Sequence, residues 1–149
     1  MSGDLQPIIA RLRDQVTEAK RCRFAMSLPA ALQDAVAAGT GERWIYVVPG
    51  STTASANPDA AGWMSQQITV QFSVLVIAKN VKDSRGEGAQ DDLIVVVKPL
   101  RKALQGWAPV WANRPVELGR GRIAGWSDFV SVWQEDFLTG YSESNEEST

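Results

Sequence analysis

The chain contains no histidine and a single cysteine, Cys22. Without imidazole there is no Ser–His or Cys–His pair, no imidazole metal ligand and no ordinary proton shuttle near neutral pH. Cys22 cannot form an internal disulfide, and it offers one thiolate where a structural zinc site needs several Cys or His ligands. This cysteine usage suits a reducing compartment. No apolar run approaches the roughly 18 residues that span a bilayer. Met1 to Leu5 lacks the basic patch and apolar stretch of a signal peptide, so the expectation is a soluble, unprocessed, intracellularly made protein. Neither sign of charge dominates: 15 Lys and Arg face 17 Asp and Glu, a formal charge of −2. No global positive field recruits nucleic acid or anionic lipid.

What is present is the material of one globular domain, 149 residues of which 44% are hydrophobic. From Asp4 to Lys20, Leu5, Ile8, Ile9, Leu12, Val16 and Ala19 recur at helical spacing, with Arg13, Asp14 and Glu18 mainly on the other side. Asp4 reads as the cap and Pro7 as a tolerated first-turn residue. A shorter helix is expected from Ser27 to Ala38, capped by Ser27 and stopped by Gly39, with Leu32, Ala35 and Val36 facing inward.

Arg43 to Val48 (RWIYVV) is aromatic and β-branched and reads as a strand closed by a Pro49-Gly50 turn. Ser51 to Gly62 is small and polar and reads as a mobile excursion. The strongest strand signal is Gln66 to Lys79, where Ile68, Val70, Phe72, Val74 and Val76 alternate with Thr69, Gln71, Ser73, Leu75 and Ile77. Its second face turns apolar at Leu75, so its far end should be covered on both faces, by a helix or by a neighbouring subunit. Asn80 to Gly88 reads as a charged loop. Asp91 to Gln105 follows as a helix with Leu93, Val96, Val97, Leu100 and Leu104 in one stripe and a kink expected near Val95 to Pro99. Strands are expected at Val116 to Ala124 and Phe129 to Leu138. Residues 1 to 140 thus form a single α+β domain: a mostly antiparallel sheet of about four strands with helices packed against it. Residues 141 to 149 read as an acidic, disordered tail.

Two carboxylate pairs could in principle hold a metal. Asp91 and Asp92 stand where a helix is expected to start, where unpaired amides favour anions, and Glu135 and Asp136 point to opposite faces of a strand, so both pairs read as structural. Gly119-Arg120-Gly121-Arg122 lacks the strand–loop–helix setting and the Lys-Ser or Lys-Thr ending of a phosphate loop. The early basic residues Arg11, Arg13, Lys20, Arg21 and Arg23 read as a solvated helix face rather than a contact patch. Of the six tryptophans, Trp44, Trp107 and Trp133 flank core elements, whereas Trp63 and Trp111 are better placed for a protein interface, where Trp is enriched. No catalytic set, metal site or cofactor site emerges, and an enzyme is the least favoured reading. Metal-dependent activity abolished by Asp91→Asn would reverse that judgement.

The order of these segments carries a resemblance. A helical start, a strand ending WIYVVP, a small polar loop, QQITVQFSVLVIAKN, a charged Gly-containing loop, a helix ending LQGWAP and a closing strand pair around GRGRIAGWSDF resemble the tail terminator proteins of long-tailed bacteriophages, Mu-like members included. The similarity runs over about residues 5 to 140; Pro99 departs from it. It implies a structural virion protein of the tail neck, assembled in the host bacterial cytoplasm. It implies a homo-oligomeric ring, usually a hexamer, that caps the tail tube, stops tube polymerisation and presents a docking surface to the head–tail connector or stopper. On that reading the partners are further copies of the chain, the tail tube protein and the connector. No membrane and no sequence-specific nucleic acid is involved, although DNA passes through the ring. Trp63, Met64, Lys82 and Arg85 are then expected in loops that contact the tube or the neighbouring subunit, and Arg120 and Arg122 at the lumen or an adjacent contact. The alternatives are another neck or tail-completion component, a connector or stopper, and a small non-viral ligand-binding α+β domain.

Overall fold

The computed structural model describes residues 3–19, 21–37, 43–55, 65–79, 87–126 and 130–144. Helix α1 (Gln6–Gln15) is followed by strand β1 (Arg21–Phe24), helix α2 (Leu28–Ala37), strands β2 (Arg43–Ala54) and β3 (Ser65–Lys79), helix α3 (Glu87–Leu104), and strands β4 (Arg114–Trp126) and β5 (Val130–Ser144). The strands form one five-stranded sheet in the order β1-β2-β3-β5-β4. All neighbours are antiparallel except β1 and β2, which run parallel and are joined through α2. Among the described residues the fold is therefore α+β, with a mixed sheet of five strands and three helices, where the sequence predicted about four mostly antiparallel strands.

The alternation of β3 explains the layering. Phe72, Val74 and Val76 are buried against Ile8, Ile9 and Leu12 of α1 and Leu93, Val96 and Leu100 of α3, together with Phe137 of β5. Leu75 and Ile77 point to the other face and join Trp44, Tyr46, Val132 and the α2 residues Ala31 and Ala35 in a second, smaller core. The far end of β3 is thus covered on both faces within one chain, the second face by α2. Because side chains alternate along a strand, one fifteen-residue element serves two cores at once.

Several local expectations are corrected. Helix α1 stops at Gln15, where Val16 turns extended, and Asp4 accepts the Gln6 amide from one position before the cap residue Leu5. In α2, the Ser27 hydroxyl accepts the Ala30 amide at 3.3 Å as a cap should, but Val36 faces outward and is 67% exposed. Pro49-Gly50 is not a turn. Strand β2 continues through it, with the register against β3 shifting between Pro49 and Thr52. A Cβ on Gly50 would stand 2.5 Å from the Gln71 carbonyl oxygen, so the glycine permits a close backbone approach inside the strand. Residues 51–54 of the expected excursion belong to β2, paired as far as Ala54 with Ile68. Helix α3 begins at Glu87, four residues before Asp91, and runs unbroken through Pro99. Tyr141 to Ser144 extend β5 along β3 rather than beginning a tail; Ser144 pairs with Ser65. Gly39, the polar residues beyond Ser55 and the last five residues lie outside the described set.

Candidate interaction surfaces

Two parts of the sheet are left open by the helices. The first is the distal half of β2: Pro49 to Ser55 are all exposed, and β1 pairs only with Trp44 to Val47, leaving the edge beyond Val47 without a strand neighbour among the described residues. The side chains are small and polar, so this ribbon stands on ladder hydrogen bonds to β3 rather than on burial. It carries the connection that contains Trp63 and Met64. Those two residues, and Lys82 and Arg85 between β3 and α3, lie outside the described set. Arg120 and Arg122 lie on β4, an edge strand.

Arg120 is exposed. Arg122 is instead tied down: its Nη1 donates to Asp136 Oδ2 at 2.9 Å. Asp136 also accepts from the Ser73 hydroxyl at 2.7 Å and from Gln134 Nε2 at 2.9 Å. Burial pushes the Asp136 carboxyl up, but the hydrogen bonds from Gln134, Ser73 and Arg122 and the Arg122 charge outweigh it and hold the group below its usual range. A depressed native pKa contributes stability that is complete above the unfolded carboxylate value of about 4 and is lost as pH falls through the native value. Asp136→Asn should therefore lower stability at pH 7 and flatten the acid limb of the stability profile. Urea unfolding at a series of pH values from neutral to acid measures this, and parallel profiles for the two proteins would refute it.

On the opposite face, the second carboxylate of the pair is fully buried. Glu135 Oε1 accepts from Arg101 Nη2 at 2.6 Å, Arg101 Nε at 3.1 Å and Trp133 Nε1 at 2.6 Å. Its other oxygen has no hydrogen-bond partner among the described residues. Glu135 and Asp136 thus serve opposite faces of β5, in agreement with the structural reading of the pair. Asp91 and Asp92 fall in the second turn of α3 rather than at its start. Among the described residues, no cluster of three or more His, Cys, Asp or Glu is arranged to hold a metal ion. Burial pushes the Cys22 thiol up to about 12, with Arg13 opposing, so the thiol stays protonated rather than nucleophilic.

Trp44 is buried, and Trp107 and Trp133 pack against the larger core, as expected. Trp111, expected at an interface, is held within the fold: its Nε1 donates to the Asp4 carbonyl at 2.8 Å and its ring meets Tyr141 edge-on at 6.0 Å. Arg11 lies 5.0 Å from the Trp107 ring centroid and donates Nε to the Ala103 carbonyl at 2.6 Å, so this member of the early basic group joins α1 to α3. Sequence reasoning missed the Arg101–Glu135–Trp133 cluster. The period of two along β5 puts Trp133, Glu135 and Phe137 on one face and marks Glu135 as a charge inside a core stripe; its partner on α3 is invisible to any local pattern.

Among the described residues no helix is long and apolar enough to cross a membrane. The surfaces on offer among the described residues are the exposed segment of β2, the edge strand β4 with Arg120, and an apolar groove between α3 and β5 lined by Leu93, Ile94, Val97 and Trp133. A comparison with curated proteins returns no match. Among solved structures, a chain in the virion of a native gene transfer agent particle is similar at a TM-score of 0.54 and 13% identity, covering 90% of each chain. At that identity the likeness speaks for the fold. A chain of the sheath/tube terminator of an extracellular contractile injection system, PVC, in the extended state aligns over 97% of this chain and 57% of its own length, at 9% identity and a TM-score of 0.42. The family model for the phage tail terminator protein matches residues 1–146. That match runs from the first helix to the end of the last strand, and the chain therefore belongs to the phage tail terminator protein family, as a structural component of the phage tail and not an enzyme.

Proposed function

We propose that this chain works as a closed homo-oligomeric ring, a hexamer, seated on the last ring of the tail tube. One face of the ring covers the edge on which the next tube ring would add and so ends polymerisation; the other receives the head–tail connector or stopper. Assembly takes place in the host cytoplasm, and DNA passes through the ring without being read in sequence. The observation that carries this reading is the family match over nearly the whole chain. The exposed segment from Pro49 to Ser55 supports it, because an edge strand whose side chains are all exposed can meet a neighbour or the tube without unfolding anything. In a ring the contacts are heterologous, one patch meeting a different patch on the next copy, and closure of the rotation sets the count.

Trp63, Met64, Lys82 and Arg85 are assigned to the connections that touch the tube or the next subunit. Arg120, exposed on the edge strand, faces the lumen or an adjacent contact. Arg122, held by Asp136, stiffens that edge. The reading is tested by native mass from light scattering with and without purified tail tubes, followed by negative-stain imaging. Rings on tube ends are the expected result; a protein that stays monomeric and ignores tube ends would overturn it. Arg85→Glu should reduce tube capping through charge reversal, and unchanged capping would remove Arg85 from the contact set.

A further inference from the structure

The proposed ring leaves open which surfaces of neighbouring copies meet. Of the exposed large apolar side chains, Val36, Val95 and Val110 stand on α2, on α3 and after α3, and four others lie near the two lateral edges of the sheet. At the β1 edge, Phe24 is 43% exposed and Met26 70%. At the β4 edge, Ile123 is 51% exposed, and Ile94 on α3 is 40% exposed. Between α3 and β5 runs a groove of about 270 Å³ lined by Leu93, Ile94, Val97 and Trp133, with Lys98 and Arg101 on its rim. Ile123 lies directly opposite Trp133 in the β4–β5 pairing.

Cross-strand register relates the two edges. Phe24, Val47, Val74, Glu135 and Gly121 are successive partners across all five strands, and Cys22, Ile45, Val76, Trp133 and Ile123 form the adjacent same-face row. Val47, Val74, Ile45, Val76 and Cys22 belong to the core under α1 and α3, so alternation puts Phe24 and Ile123 on that same face of the sheet. Gly121 has no side chain, and a Cβ there would lie 2.9 Å from Trp133 Cζ2; the indole leans over the edge strand in the row of Phe24. One edge thus carries a half-exposed aromatic with a methionine two residues beyond it, and the other an apolar recess; Phe24 and Ile123 lie on one face and within one row of each other.

Resting on the ring reading, we propose that Phe24 and Met26 of one copy seat in the recess formed by Ile94, Trp133 and Ile123 of the next, so that the ring closes β1 edge to β4 edge. The contact is carried by side chains rather than by a continuous ladder, because Arg13 Nε already donates to the Cys22 carbonyl at 2.9 Å and occupies part of the β1 edge. With aromatic and methionine side chains of roughly 200 Å² each, the exposed fractions leave about 200 Å² of apolar surface on the projecting edge, a quarter of the ~800 Å² per partner of a standard stable complex. So small a patch does not hold an isolated dimer. It suits a contact repeated around a closed ring, where each copy is held on two sides.

The test uses the full chain assembled on purified tail tubes. Phe24→Cys/Ile123→Cys, treated with a short bis-maleimide, is expected to give a ladder of dimers, trimers and higher multiples on a denaturing gel. Each single-cysteine variant, with the buried native Cys22 retained, is expected to stay monomeric. Capped tubes without a ladder would overturn the interface while leaving the ring reading intact; an unmodified protein that neither forms rings nor caps tubes would defeat the ring reading itself. Met26→Lys and Ile94→Glu should each reduce capped tubes by about tenfold, as expected for loss of an interface anchor. An equal mixture of the two should recover capping, because alternating copies pair the new lysine with the new glutamate and leave every other contact unaltered. Ile94→Glu rings that form normally in free solution yet fail to seat on tubes would assign the recess to the tube protein and overturn the proposal.

Discussion

Phe72→Ala is expected to lower the unfolding free energy by about 3–5 kcal/mol, the usual cost of truncating a fully buried phenylalanine. Phe72 has no exposed surface and stacks on Phe137 with ring centroids 5.5 Å apart and planes inclined by 20°. The two rings sit face to face across the β3–β5 pairing, in the core that also holds α1 and α3. Removing one ring opens a cavity under both helices and strands its partner, so the loss exceeds the transfer energy of the deleted atoms alone. For a chain of this size the melting temperature should fall by about 10 °C or more. Thermal or urea unfolding measures it, and a loss below about 1 kcal/mol would mean that this part of the core is not closely packed.

The second large effect is electrostatic. Arg101→Leu removes two of the three donors to Glu135 and leaves a carboxylate of zero exposure with only the Trp133 indole. Breaking a fully buried pair from one side costs about 3–5 kcal/mol; here the Arg101 side chain is 38% exposed, so the expected loss is about 2–3 kcal/mol. The paired change Arg101→Leu/Glu135→Leu should regain most of that loss, because no charge is then left buried and the leucines extend the apolar lining of the groove. Unfolding of the two single variants and the double variant completes the cycle. If Arg101→Leu alone proved neutral, the ion pair would have no stabilising role in joining α3 to β5.

Legibility in the sequence followed burial. Strand β3 was plain because one face is apolar along the element and the other changes from polar to apolar at Leu75, where the second core begins. Helix α1 was visible for the same reason at the other period, although its end was overrun: Ala19 packs on the core from the turn between α1 and β1, so an apolar residue at helical spacing need not be helical. Strand β1 was missed. Arg-Cys-Arg-Phe has one buried residue, and four residues cannot establish a period. Polar strand extensions were missed as well. Ser-Thr-Thr-Ala in β2 and Tyr-Ser-Glu-Ser in β5 bury little, and they are strands because β3 offers them ladder partners. Four of the six candidate contact residues came from connections, and of the two on described elements Arg120 is exposed and Arg122 is bound to Asp136.

The sequence by itself determined the class of the protein. Apolar stripes at helical spacing on either side of β3, a strand apolar on one face throughout and on the second from Leu75, called for an α+β sheet covered by helices. Tertiary structure alone decided the strand count, the parallel entry of β1, the continuation of β2 through Pro49-Gly50 and the partners of Glu135 and Asp136. The physical reason is one of range. Side-chain periodicity is a local property that records which face is buried, whereas ladder hydrogen bonds and buried ion pairs join residues tens of positions apart, and only the folded chain brings those residues together.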